Sequence, residues 1–226
     1  MNGAFGDRFL SDIFREVDEE VRREQLKRLW ERYSIFIIAA AVLLVAAIGA
    51  WRAYEYWEGK KAAEAGARFD NALTLADQGK HAEAEAEFSK LSKESPSGYK
   101  TLSRFAEAAQ LAQRDPKAAI TAYDAIASDN SLPLLQRDLA GIRAGLLMAD
   151  NSPYAELQRR LEPLTAGERP FRHTARELLA FSAWRSGDAA AARRWYEMMT
   201  TDSDTPASTR SRVEVLMALL PEQGRG

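Results

Sequence analysis

One uninterrupted apolar segment stands out from an otherwise polar chain. It covers residues 35–51 and contains no charged side chain. Arg32 precedes it and Arg52 follows it. As a helix, residues 33–51 are roughly 28 Å long, about one hydrocarbon thickness. Aromatic residues lie at both ends, as in helices that meet two membrane interfaces. They are Trp30, Tyr33, Trp51, Tyr54, Tyr56 and Trp57. The pattern predicts a single transmembrane helix that contacts the lipid bilayer through residues 35–51.

Two other interpretations of this segment stay open. A cleaved signal peptide has an apolar core of about 7–15 residues behind a short basic start. Here residues 1–34 precede the segment and contain acids as well as bases, and Ala47-Ile48-Gly49 is a weak cleavage site. A buried core helix rarely lacks charge over such a length with aromatic residues at both ends. We therefore favour the membrane span.

Basic residues near the segment predict its orientation. Five lie on the N-terminal side and three at a similar distance on the C-terminal side. They are Arg22, Arg23, Lys27, Arg28 and Arg32, against Arg52, Lys60 and Lys61. Because positive charge is retained on the cytoplasmic side, we expect a cytoplasmic N-terminus and an external C-terminal part. In a Gram-negative bacterium this makes a single-pass type II protein of the cell inner membrane with a periplasmic domain.

Beyond residue 60, apolar and small residues recur at a fixed spacing of 36. One series is Ala72, Ala108, Ala144, Ala180 and Leu216. A second series marks another helix in each unit with Phe88, Tyr123, Leu161 and Tyr196, followed three residues later by Leu91, Ile126, Leu164 and Met199. Such a period indicates stacked helix–turn–helix units. We expect the small residues to let paired helices approach, and the aromatic residues to fill the space between units.

This period predicts an all-α chain with a solenoid of about four helix pairs and a C-terminal capping helix. The predicted first helices are 62–78, 98–114, 134–149, 171–186 and 207–220. The predicted second helices are 80–93, 116–128, 153–165 and 188–200. Gly at the end of a first helix and Asp, Ser or Pro at the start of the next fit the turns between them. Leu157 replaces the alanine of the other units, so we expect a distorted third unit. A non-repeating helical bundle is the alternative.

The organisation follows from these elements. Residues 1–34 form a charged amphipathic cytoplasmic tail, 35–51 the transmembrane helix and 52–61 a juxtamembrane connector. Residues 62–220 form the repeat domain and 221–226 a flexible tail. In the first of these segments Ser11 is expected to cap a helix from Asp12. An apolar stripe there is a candidate docking face for a cytoplasmic partner; it consists of Ile13, Phe14, Val17 and Val21. In the span, Ala46 and Ala50 have a spacing that permits close helix packing.

Composition and charge exclude several classes of function. The chain has 226 residues and a net charge of −2, and neither residues 1–34 nor the remainder has a basic excess, so no nucleic-acid partner is expected. Cysteine is absent, which excludes disulfides, thiolate zinc sites and a cysteine nucleophile. Frequent alanine and the lack of Val/Ile-rich runs outside the span agree with a helical chain.

No residue pattern indicates catalysis, a cofactor or a metal. His81 and His173 each lie near a predicted helix start with no second ligand at metal spacing, so a surface or capping role is expected. Glu83, Glu85 and Glu87 alternate by two and are interpreted as a solvated face. The pairs Arg159-Arg160 and Arg193-Arg194 are interpreted as solvated or as contacts for acidic partners. No catalytic, cofactor-binding or metal-binding residue is therefore assigned. Two converging carboxylates of raised pKa in a pocket would revive an enzyme interpretation.

Two segments resemble the second half of tetratricopeptide repeats. They are Gly-Lys-His-Ala-Glu-Ala-Glu-Ala-Glu-Phe (79–88) and Gly-Asp-Ala-Ala-Ala-Ala-Arg-Arg-Trp-Tyr (187–196). The Trp and Tyr of the repeat's first helix are absent, so the repeats are degenerate. The order of a charged tail, one span ending in Gly-Ala-Trp-Arg and an immediate repeat domain resembles the ancillary subunit of the bacterial Sec translocon. Residues 11–30 resemble its alphaproteobacterial version.

These observations favour a non-enzymatic membrane-anchored adaptor whose helical repeats bind proteins. The resemblance implies a place beside the Sec translocon, with translocon subunits, periplasmic chaperones or emerging clients as partners in protein secretion. The alternative is a scaffold or coordinator of cell-envelope or division machinery. The identity of the partners separates the two hypotheses.

Overall fold

The computed structural model describes residues 4–218, with the side chains of residues 4–22, 25 and 26 outside the description. The docking stripe predicted at residues 13–21 and the predicted tail at 221–226 therefore lie outside it. Over the described residues the chain is helical and has no strand, which confirms the all-α prediction. It divides into two compact units, one up to residue 60 and one from residue 61.

The first helix, α1, is Ala4–Asp77 and contributes to both units. It contains one segment that is long and apolar enough to cross a membrane. Every side chain of residues 35–51 is exposed, so no protein group of the described residues covers this segment. Ser11 lies inside α1 and is not its cap, because residues 4–10 contain no proline and continue the helix. Residues 52–61, predicted as a connector, are helical and leave no break before the repeats.

Eight further helices follow α1 in the described part of the chain, and they match the predicted order of first and second helices. Their bounds are α2 His81–Glu94, α3 Ser97–Leu111, α4 Pro116–Ala127, α5 Leu134–Met148, α6 Tyr154–Leu161, α7 Arg172–Arg185, α8 Ala189–Thr200 and α9 Ala207–Ala218. The end of α1 with α3, α5, α7 and α9 are the first helices, and α2, α4, α6 and α8 are the second helices. Position 219 onward, where α9 was predicted to continue, is not described.

Glycine and aspartate define the turns inside the units, as predicted. Gly79 and Gly187 have φ of +75° and +79°, a region that glycine adopts without steric cost. In both turns the residue after the glycine donates its N–H to the carbonyl oxygen of the residue five positions earlier. Lys80 donates to Leu75 and Asp188 donates to Ala183, at 2.9 Å each. The Asp188 carboxylate then accepts the N–H of Ala191 at 2.9 Å and caps α8.

The predicted small and apolar series form the core. The alanines of the first helices are completely buried, and Leu216 is almost so. The second-helix series is also buried except at one position: Tyr196 is only half-buried, and Trp195 beside it is 2% exposed. Tyr196 packs against the core as predicted, but only in part, and its neighbour is the more deeply buried aromatic residue. Trp195 is larger and donates its indole N–H to the Tyr154 hydroxyl at 2.8 Å, so it buries more apolar surface with its polar atom satisfied.

The third unit is distorted, as we predicted from the leucine at position 157, where the other units have alanine. Its second helix, α6, ends at Leu161 and continues only as a short 3₁₀ turn, Glu162–Leu164. Leu157 and Leu161 are completely buried. The facing helix α5 provides room through Gly145, where an added Cβ would lie 2.8 Å from a Leu161 methyl carbon. Glycine on α5 therefore compensates for the bulk on α6.

We expect Gly145→Ala to lower the free energy of unfolding by about 1 to 2 kcal/mol, because the new methyl group overpacks against Leu161. Gly98→Ala is the matched control. An added Cβ at Gly98 of α3 meets no atom within 4 Å, and alanine there gains up to about 1 kcal/mol of helix propensity. Urea unfolding of the full chain in detergent, followed by far-UV circular dichroism, compares the two. Equal midpoints for both variants would contradict this packing.

An arginine at one position of the first helices forms an ion pair within three of the four helix pairs. Arg68, Arg104 and Arg176 follow the 36-residue spacing. They pair with carboxylates at the end of the second helix or just after it, namely Glu94 at 3.0 Å, Asp129 at 2.6 Å and Asp202 at 2.7 Å. The distorted third unit has Ala140 at this position, and its Thr165 carbonyl accepts two hydrogen bonds from Arg176 of the next unit. The ion pair is thus a repeated feature that the sequence analysis missed.

Candidate functional site

Exposed large apolar residues of the repeat domain lie on the first helices. Among the described residues from 61 onward, every exposed large apolar side chain belongs to a first helix. These residues are Leu73, Leu102, Leu134, Leu135, Leu146, Phe181, Trp184 and Val215. We call this set the first-helix surface. Because soluble surfaces rarely concentrate apolar groups, the set marks a candidate interaction surface.

A depression on this surface lies between α3 and α5 and has a volume of about 660 Å³. We call it the α3–α5 groove. Leu102 and Phe105 of α3 line one side, Leu139 and Arg143 of α5 line the other, and Tyr123 of α4 contributes from below. No aspartate or glutamate lines it. The groove is therefore apolar with one cationic group, and its volume is in the range of ligand-binding clefts.

A second depression of about 330 Å³ lies between α5 and α7. Leu146 of α5 and Leu178, Phe181 and Trp184 of α7 line it. Arg185, at its edge, donates to the Ser152 carbonyl at 2.6 Å and so is held by the protein itself. Together the two depressions form apolar surface along three successive first helices, α3, α5 and α7.

A depression on the side of the second helices has a different character. It has a volume of about 370 Å³, and Lys100, Arg104, Glu107 and Asp129 are among its lining residues. Hydrogen bonds from the Ser131 hydroxyl and from Arg104 lower the pKa of Asp129 to about 2. Since Arg104 and Asp129 already satisfy each other, this depression offers a ligand less than the first-helix surface does.

Neither histidine forms a metal site in the described part of the chain, which holds no cluster of three possible metal ligands. The Nδ1 atom of His81, at the start of α2, lies 2.8 Å from Gln110 Oε1 of α3. His173 Nδ1 of α7 lies 3.0 Å from the Thr205 hydroxyl. Burial, and next the charge of Arg172, lower the pKa of His173. Both imidazoles thus join elements of the fold.

The charged clusters noted in the sequence are more involved in packing than expected. Glu85 accepts from Arg114 of the next unit at 2.6 Å, and Glu87 accepts from Lys90 at 2.6 Å, so only Glu83 of that series is a solvated side chain. On the second helices, Arg160 pairs with Asp124 of the preceding unit. The guanidinium of Arg194 lies over the Trp195 ring at 5.1 Å from its centroid.

One buried carboxyl has a raised pKa. Asp138 of α5 is 2% exposed, and burial raises its pKa, while the charge of Arg169 opposes that shift. Its Oδ1 atom accepts from Arg169 at 2.6 Å. The partner of this carboxyl is a guanidinium and not a second acid, so it does not supply the pair of carboxyls that acid–base hydrolysis needs.

Stacked helix pairs with an exposed apolar surface on the first helices define a helical-repeat protein. Such folds typically serve as protein-interaction scaffolds. The profile of the tetratricopeptide repeat-like domain matches residues 27–219, and the chain belongs to this family. No curated protein matches the chain significantly, and no solved structure does.

Proposed function

We propose that the chain is a membrane-anchored, non-enzymatic adaptor that binds proteins through its first-helix surface. The observation that carries the proposal is the confinement of exposed large apolar side chains to the first helices. Large apolar side chains on the described second helices are buried or half-buried, so the surface is not a general excess of apolar residues. Repeat folds of this family typically bind proteins, which supports the same conclusion.

The anchor in this proposal is the apolar segment of α1. Residues 35–51 span the bacterial inner membrane, residues 1–34 are cytoplasmic, and the repeat domain, residues 62–220, is periplasmic. Support comes from the exposed, uncharged segment and from the excess of basic residues on its N-terminal side. Tethering raises the local concentration of the repeat domain and of whatever it binds near the membrane.

For the partners, we propose subunits of the Sec translocon together with periplasmic chaperones or emerging clients, which makes the chain an ancillary translocon subunit. The support is the order of tail, span and repeats. A scaffold of cell-envelope or division machinery is the alternative. Both assignments use the same surface, so the partner's identity decides between them.

The test is photocrosslinking in intact native cells, with mass spectrometry of the adducts. A photoreactive residue at Ala46 reports on the span and one at Leu102 on the repeat domain, since both positions are exposed. Translocon subunits at Ala46 with chaperones or clients at Leu102 are the expected adducts. Division or cell-wall proteins at both positions would instead favour the alternative. A photoreactive residue at the completely buried Phe88 is the negative control.

A further inference from the structure

The α3–α5 groove contains a buried hydrogen-bond acceptor that the protein leaves unused. Gln136 of α5 lines the groove, and its Oε1 atom is buried without a hydrogen-bond partner among the described residues. A buried amide oxygen without a donor is unfavourable, because it has lost its hydrogen bonds to water and gained none in return. The groove is therefore suited to a ligand that supplies an N–H or O–H group at this point.

The same groove contains a cation that no described carboxylate neutralises. Arg143 lines the groove two helical turns after Gln136 and is exposed. It forms no ion pair with any residue that the structure describes, whereas Arg104 and Arg176 each pair with an acid within 2.7 Å. Burial raises the pKa of Tyr123 in the same lining, and the charge of Arg143 opposes that shift, so the guanidinium lies near the groove. Arg143 is available to an anion.

These two polar positions lie beside apolar walls. Gln136, Leu139 and Arg143 have spacings of three and four residues, which place them on one face of α5. The Cα atoms of Gln136 and Arg143 are roughly 10 Å apart on that face, at about 1.5 Å of rise per residue. Leu102 and Phe105 of α3 line the opposite side of the groove. The groove therefore suits an amphiphile with a polar end that carries both an anion and a hydrogen-bond donor.

We propose that the α3–α5 groove binds a single-chain phospholipid with an ethanolamine head group. Its phosphate accepts hydrogen bonds from the Arg143 guanidinium, and its ammonium donates to Gln136 Oε1. Its acyl chain packs against Leu102, Phe105 and Leu139. This is a lipid site and goes beyond the proposed function, which concerns protein partners. Because the lipid covers Leu102, lipid and protein exclude each other from this part of the first-helix surface.

Charge and hydrogen-bond complementarity favour this ligand over related amphiphiles. A phosphate matches a guanidinium, and an ammonium is a donor that matches an amide oxygen. A fatty acid supplies the anion but leaves Gln136 Oε1 unpaired. A choline head group has no N–H and leaves the same oxygen unpaired. The groove volume of about 660 Å³ and the apolar walls are in the range of clefts that bind small molecules.

The experiment compares two photoreactive lipids on the full chain in phosphatidylcholine nanodiscs. The probes are lysophosphatidylethanolamine and lysophosphatidylcholine with the same diazirine-bearing acyl chain, and mass spectrometry locates the adducts. Adducts within residues 35–51 normalise the dose, because the proposed span contacts either lipid. We expect adducts on α3 and α5, with a normalised yield at least about 5-fold higher for the ethanolamine probe, since only its ammonium donates to Gln136.

Two variants separate the roles of the polar groups. Gln136→Leu should abolish the preference for the ethanolamine probe, because the acceptor is gone. Arg143→Glu should lower the yield of both probes at least about 10-fold, because both depend on the phosphate. The matched controls are Gln113→Leu and Arg159→Glu, exposed residues outside the groove lining, and both should leave yield and preference unchanged. Far-UV circular dichroism and the unfolding midpoint confirm that each variant is folded.

Several results would overturn the inference. These are equal normalised yields from the two probes, a preference that survives Gln136→Leu, unchanged yields in Arg143→Glu, or adducts spread evenly over the repeat domain. Unlabelled lysophosphatidylethanolamine should compete with the probe, and equal competition by free glycerophosphoethanolamine would show that the apolar walls play no part. Protein crosslinks from Leu102 in cells would leave the proposed function standing while this inference fails.

Discussion

Replacing Asp202 by asparagine is expected to lower the free energy of unfolding of the repeat domain by about 2 to 3 kcal/mol. Asp202 follows α8 and accepts from Arg172 at 2.9 Å and from Arg176 at 2.7 Å. Arg176 is 5% exposed, so the substitution leaves its charge buried without a counterion. Its hydrogen bonds to the carbonyls of Thr165 and Met198 remain and limit the loss.

The effect should depend on pH in a defined direction. The hydrogen bond from Arg172, helped by Arg176, holds the pKa of Asp202 well below its usual range. A carboxyl with a depressed folded-state pKa stabilises fully above its unfolded pKa, about 3.9, and loses that contribution as the pH falls further. The difference in unfolding free energy between wild type and Asp202→Asn should therefore be constant at neutral pH and shrink below about pH 4.

Urea unfolding of the full chain in detergent between neutral and acidic pH measures this difference. Asp204→Asn is the matched control. Asp204 also pairs with Arg172, at 2.9 Å, but its side chain is mostly exposed. We expect it to cost less than about 1 kcal/mol. A loss in Asp204→Asn as large as in Asp202→Asn would contradict the role given to the buried pair, and so would a difference that grows in acid.

Two arginines in the middle of the apolar segment should release the chain from the membrane. Each arginine at the centre of a spanning helix costs about 3 kcal/mol, so Leu43→Arg with Leu44→Arg shifts the partition by about 10,000-fold. Wild type is expected in the membrane pellet after carbonate extraction, and the double variant in the supernatant. The matched control is Ala53→Arg, which adds a charge outside residues 35–51.

Two results of that experiment would count against the anchor. One is wild-type protein in the carbonate supernatant, and the other is a double variant that stays in the pellet. The mass of the purified wild-type chain completes the test. Loss of residues 1–49 would indicate a cleaved signal peptide, whereas a retained N-terminus is expected of a membrane anchor.

The helical architecture was accessible from the sequence because local rules and packing agree. A spacing of 36 residues placed the alanines of the first helices in the core, and Gly79 and Gly187 marked turns that require a positive φ. The choice between Trp195 and Tyr196 was not accessible in the same way. Both are aromatic neighbours on α8, and the difference in their burial depends on side chains of other helices, including Tyr154, which accepts the Trp195 N–H.

The interaction surface was harder to predict than the core. Leu102 and Leu157 are both leucines within helices, yet one is 54% exposed and the other completely buried. Residue type and helix propensity alone do not distinguish them, because burial depends on which neighbouring helix covers each face. The repeated ion pairs, by contrast, had a signal in the sequence. Arg68, Arg104 and Arg176 follow the same spacing of 36 as the core alanines.

The most direct test of the central claim compares crosslinking from the two classes of helix in intact native cells. Photoreactive residues are placed at Leu102 and Phe181 on the first-helix surface, and at Ala125 and Ala155, exposed positions on second helices. We predict discrete protein adducts from Leu102 and Phe181, with none above background from Ala125 and Ala155. Equal yields from both classes, or adducts confined to Ala125 and Ala155, would contradict the claim that the first-helix surface binds the partners.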